Sequence, residues 1–296
     1  MTPPLSPRAG VLALLAIAVT FGSNHVAARI AFDHGTSVAT AVAMRSGVTA
    51  LALSGLLCAL GVPMALPRPT LARACAIGVL VALQSFCLYS AVARIPVALA
   101  LLAFNTFPML LALMSWVSGA GRPATRTLLA MPVALAGLAL ALDVFGKAGD
   151  LAGRWAEIGA GVGWALGAAL SFALVLLLTG RWLNDMDGRV RTLLTMGVTA
   201  VIVGLAGVAT DALAWPRDSQ GWLGLALLTL FYGTAITALF VVLPRLGAAN
   251  YAVVLNIEPI AVLFLAWAIL GQAVSALQLL GALIVIGAIT VPALKR

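Results

Sequence analysis

A chain of 296 residues that is 63% apolar and 9% charged, with a mean hydropathy of +1.13, lies outside the range of soluble globular domains. Its net charge of +8 comes from single Lys and Arg residues set between apolar runs, a pattern that sets membrane topology rather than grips nucleic acid. Cys58, Cys75 and Cys87 lie in or beside apolar runs and offer neither a disulfide framework nor a metal-ligand spacing.

Ten apolar stretches are each long enough to cross a bilayer as a helix of about 20 residues. They fall at about 10–31, 38–61, 71–93, 97–118, 125–145, 157–179, 190–213, 220–243, 249–270 and 276–293, which predicts an all-α integral membrane protein. The first begins after Arg8 like a signal peptide, but its length predicts a retained helix. It carries Phe21, Asn24 and His25; His25 reads as a hydrogen-bonded core residue or a proton relay. The second carries Arg45 about two turns from its end, where arginine is expected to snorkel to the outer surface, with a substrate carboxylate as the sharper alternative. Gln84, Phe86 and Tyr89 follow in the third, then Phe104, Asn105 and Pro108 in the fourth. A proline inside a helix removes a donor, so Phe104 should carry a carbonyl without its helical partner. The sixth holds Trp164, Phe172 and glycines at 159, 163 and 167, a spacing that predicts close helix packing. Tyr232 lies in the eighth and Tyr251 in the ninth, which also holds Asn256, Glu258 and Pro259. Trp182, Trp215 and Trp222 stand near span ends as interfacial anchors.

An internal repeat underlies this order. A shift of 151 residues brings Phe21 onto Phe172, Arg94 onto Arg245, Asn105 onto Asn256, Pro108 onto Pro259 and Trp116 onto Trp267 without a gap. Residues 1–150 and 151–296 therefore read as two five-helix halves. Five is odd, so the second half must enter the membrane from the opposite side and the halves should be inverted around a central cavity. With the N-terminus inside, eleven Lys and Arg fall on inner segments and five on outer ones, which predicts cytoplasmic termini.

Glu258 is the one carboxylate well inside a predicted span, where an ionised group needs a cavity or a partner. It reads either as a proton-coupling or ammonium-binding group, or as a carboxyl bonding amides freed at Pro259. Asn105 and Asn256 can serve a distorted helix with both donor and acceptor, or touch substrate. The candidate cavity set is thus Asn24, His25, Gln84, Tyr89, Phe104, Asn105, Trp164, Phe172, Tyr232, Tyr251, Asn256 and Glu258, with helix breaks at Pro108 and Pro259. A phosphate-binding loop, a metal cluster and a Ser/His/Asp constellation are all missing from the sequence, so no enzyme activity and no cofactor are expected.

Two five-span halves and the Asn256-Ile257-Glu258-Pro259 segment resemble the drug/metabolite transporter superfamily in its EamA-type branch. Phe21-Gly22-Ser23-Asn24 looks like that family's first-helix motif, and Arg45 fits an arginine common in its second helix. Among its branches the chain is similar to bacterial aromatic amino acid exporters of the inner membrane. The resemblance implies ten helices in a basket around a cavity and export by alternating access. Its expected partners are a small amino acid or related metabolite and the bilayer, with a proton as one candidate driving ion. Efflux of lipophilic organic cations is the alternative within transport; a channel or a membrane-embedded enzyme stands further off.

Overall fold

A computed structural model describes residues 7–119, 151–183, 186–246, 258–272 and 275–294, with isolated positions between 125 and 140. The described helices are α1 (Pro7–Asp33), α2 (Val38–Ala59), α3 (Arg68–Arg94), α4 (Val97–Phe104), α5 (Phe107–Val117), α6 (Leu151–Trp182), α7 (Gly188–Ala209), α8 (Ser219–Leu246), α9 (Glu258–Leu270) and α10 (Ala276–Leu294). Among the described residues, seven helical stretches are long and apolar enough to cross a bilayer, α4 and α5 together making one of them. Two shorter apolar helices stand where the ninth and tenth spans were expected. Most of the fifth, at 125–145, lies outside the described residues.

Local chemistry fixes where the helices begin. Ser37 Oγ accepts the Thr40 amide at 3.2 Å to open α2, and Asp187 Oδ1 accepts the Arg189 amide at 2.8 Å to open α7. The fourth span breaks where Pro108 predicts it. α4 stops at Phe104, the amide and Nδ2 of Asn105 both donate to the Leu101 carbonyl (2.9 and 2.7 Å), and α5 starts at Phe107. Pro108 then sits in a first turn, where its missing N–H would have had no helical acceptor.

Packing follows the repeat. The most extensive contacts are α1 with α8, α3 with α6, and α2 with α7. Exchanging the halves turns the first pair into the second and returns the third to itself. The same exchange converts the contact of α3 with α7 into that of α2 with α8, and α1 with α9 into α6 with α4 and α5. At the α1–α8 crossing a Cβ on Gly224 would stand 2.7 Å from the Ala31 nitrogen and 3.0 Å from the Ala27 oxygen, so the two backbones touch directly. The glycine reading of the sixth span needs correction here. Gly161, which the four-residue spacing skips, meets the Ile95 side chain, whereas a Cβ on Gly163 would meet nothing within 4 Å.

One end of the bundle is laced. Between α1 and α2, and between α7 and α8, two turns exchange backbone bonds: Ser37 N–H to the Ala214 carbonyl and Arg217 N–H to the His34 carbonyl, each 3.0 Å. His34 Nδ1 lies 2.7 Å from Asp218 Oδ2, and the Ala214 amide donates to Ser37 Oγ at 3.1 Å. Gly35 makes the turn with φ +93°, a conformation that side-chained residues rarely adopt. The opposite end keeps a cleft of about 340 Å³ between Pro63, Leu66 and Thr70 on one side and Trp182, Met186 and Asp187 on the other.

Candidate functional site

Five helices deliver polar side chains to one buried neighbourhood. α1 supplies Asn24 and His25, α2 Arg45, α3 Ser85 and Tyr89, α8 Tyr232, and α9 Glu258. At its centre Arg45 is only 4% exposed. Its Cζ lies 3.8 Å from the centroid of the Tyr232 ring and 4.6 Å from that of Tyr89, and its Nη2 donates to Ser85 Oγ at 2.7 Å. The expected snorkelling to the surface is therefore overturned. A guanidinium is weakly hydrated and planar, so two ring faces and a hydroxyl hold it inside.

Around that centre the polar contacts are continuous. Tyr89 is fully buried; its hydroxyl donates to Asn24 Oδ1 at 2.8 Å, and its ring meets His25 and Phe32 edge-on at 6.0 and 5.6 Å. Ser85 Oγ donates on to Gln84 Oε1 at 3.4 Å. Tyr232 stands edge-on to Phe21 at 6.2 Å. His25 Nε2 lies 3.5 Å from Glu258 Oε1, an ion pair whenever the imidazole is protonated. Glu258 also opens α9, where a helix N-terminus favours its negative charge, with Pro259 next to it in the first turn. Three polar atoms here are buried without a hydrogen-bond partner: Asn24 Nδ2, His25 Nδ1 and Arg45 Nε.

The predicted aromatic residues form a second group. Phe172 on α6 packs on Phe107 and Phe104 at 4.8 and 5.5 Å, at the break between α4 and α5. Trp164 meets Phe86 at 6.0 Å and lies under Arg94, whose Cζ is 5.6 Å from the ring. Asn105 is spent on its own helix through the bond to Leu101. Trp215 and Trp222 stack at 5.9 Å and are half exposed, as suits interfacial anchors. Tyr251 and Asn256 lie outside the described residues.

Sequence reasoning named Asn24, His25, Tyr89, Tyr232 and Glu258 but missed Ser85 and the place of Arg45 among them. A permanent charge well inside an apolar run was the available signal. Beside the cage, a groove of about 830 Å³ runs between α2 and α8, lined by Met44, Val48, Thr49, Trp222, Thr229 and Gly233 among others. Among the described residues no group of His, Cys, Asp and Glu could hold a metal ion.

Comparison with known proteins places this arrangement. The model of the EamA-like transporter family matches residues 8–142 and again residues 159–292, once in each half. A solved structure described as "Crystal structure of protein" superposes with a TM-score of 0.64 at 19% identity, covering 97% of this chain and 99% of that one. At that identity the likeness is one of fold. No curated protein matches the chain.

Proposed function

The chain belongs to the EamA-like transporter family, and from that premise we propose that it exports amino acids, aromatic or other neutral ones, and related metabolites from the cytoplasm. It is a membrane transporter, from a family of transporters rather than enzymes. The proposed setting is the bacterial inner membrane, with both termini cytoplasmic and residues 1–150 and 151–296 as inverted halves. Alternating access would expose one central site to each side in turn.

The observation that carries the reading is the buried cage itself. Arg45, Asn24, Tyr89, Tyr232 and the His25–Glu258 pair come from both halves, so rocking one half against the other would remake the site. A guanidinium and a carboxyl group are both present, as recognition of a zwitterion requires, and ring faces stand beside the guanidinium. The difference between the two ends supports alternation: in the proposed orientation the laced turns close the outside, and the 340 Å³ cleft lies inside. Glu258 favours the second reading, efflux of lipophilic cations. The permanent charge of Arg45 beside the same rings works against it.

Purified protein in liposomes decides between them. Vesicles preloaded with phenylalanine should take up labelled phenylalanine by counterflow, and a lipophilic cationic dye should neither exchange nor compete. Exchange of the dye with none of the amino acid would reverse the assignment.

A further inference from the structure

The cage contains a permanent charge that no ion pair among the described residues includes. Arg45 cannot lose its proton under ordinary conditions. It is 4% exposed, yet it takes no part in any ion pair among the described residues, which join His25 to Glu258, Arg29 to Asp33, His34 to Asp218 and Arg189 to Asp187. Ser85 and two ring faces are its partners, and its Nε–H is buried with no acceptor.

The second deficit has the same sign. Asn24 is 1% exposed, and its Oδ1 accepts from the Tyr89 hydroxyl at 2.8 Å. In that arrangement Nδ2 is buried with nothing to receive its hydrogens. Arg45 thus lies over the Tyr89 ring while Asn24 holds its hydroxyl, each with a spare donor. Buried polar groups are normally paired. Water could accept both hydrogen bonds, but it would leave the positive charge uncompensated. A group that supplies two acceptor oxygens and one negative charge answers both deficits.

We propose that Arg45 and Asn24 form the seat of a substrate carboxylate. One oxygen accepts from Arg45 Nε and the other from Asn24 Nδ2, while the rest of the solute lies against the tyrosine rings. This rests on the transporter reading above and adds to it the end of the solute that is held, and by which atoms. The carboxylate is shared by two kinds of ligand, a zwitterionic amino acid and an organic acid without an ammonium group.

Three probes on the full-length protein in detergent separate these cases by titration calorimetry: phenylalanine, phenylalaninamide and 3-phenylpropionate. The seat predicts that phenylalaninamide binds at least about tenfold more weakly than phenylalanine, the scale of a lost charge-assisted hydrogen bond. Retention of 3-phenylpropionate would assign the seat to carboxylates at large; its loss would confine the seat to zwitterions. Asn24→Asp is the second arm. It gives Arg45 a fixed counter-charge and removes the spare donor, so both acids should weaken at least about tenfold while the melting temperature holds or rises. A role in packing alone would leave acid binding intact. Arg45→Gln should bind acid and amide alike; should that variant fail to fold, the Asn24→Asp arm and the probe pair still decide.

Equal binding of acid and amide by the wild type, acid preference surviving in Asn24→Asp, or no binding of either acid would each overturn the seat. Acids that bind yet are not carried in liposomes would support the seat and sink the transport assignment. Phenylalanine and its amide carried equally well would do the reverse.

Discussion

Glu258 shows how one side chain can be half legible. Its depth in an apolar run marks it as needing a partner, and the sequence offers two: free amides beside Pro259 or a moving proton. The structure supplies a third in His25, whose Nε2 lies 3.5 Å away and whose ring meets Tyr89 edge-on. The two residues are far apart in the chain, so no local pattern could have joined them. Their contact predicts an asymmetry between two substitutions. Glu258→Gln can still accept a hydrogen bond from His25, so counterflow should keep the wild-type response to pH. Glu258→Ala leaves the imidazole facing nothing, at a cost of about 1–3 kcal/mol, and should lower the melting temperature. A glutamine variant that binds substrate and folds normally, but has lost only its coupling to protons, would contradict this and make Glu258 the proton carrier.

At the scale of elements, breaks and caps were the most readable features because their chemistry is local. Pro108 marked Phe104 as the residue whose carbonyl should lose its helical partner, and α4 ends there, since a missing N–H and a steric clash act over four positions. Glycine spacing on α6 misled because a repeat of small residues gives no direction. Only the neighbour, Ile95, decides that Gly161 and not Gly163 is the close approach. The turn clasp was illegible for the same reason, as its strands of chain come from different halves. Its chemistry is nonetheless testable. The Gly221 amide donates to Asp218 Oδ1 at 2.9 Å and His34 sits on Oδ2, and together they hold the Asp218 carboxyl below the usual carboxylate range. A carboxyl lowered in this way stabilises the folded turn above its ordinary pKa of about 4 and loses that contribution as pH falls further. The protection of the Gly221 amide against hydrogen exchange, measured relative to its intrinsic rate at each pH, should therefore fall below about pH 4, and Asp218→Asn should remove the pH step. An unchanged step in that variant would assign the transition to another group.

The whole molecule was legible as a repeat before it was legible as a site. Matches at a constant offset, from Phe21 onto Phe172 through Trp116 onto Trp267, already divide the chain. The family model then falls once on each half, and the helix contacts pair off as an exchange of halves requires. Burial of Arg45 was not legible, because its tyrosine partners lie on α3 and α8 and meet only when the halves dock. A transporter that alternates about such a site must open the clasped end in every cycle. The direct measurement replaces His34 and Asp218 by cysteine, with serine at the native Cys58, Cys75 and Cys87, and joins them in liposomes with a bifunctional methanethiosulfonate. Counterflow of phenylalanine should stop when the link forms and return when a reductant breaks it. Undiminished counterflow through a fully linked clasp would contradict alternating access at this end of the molecule.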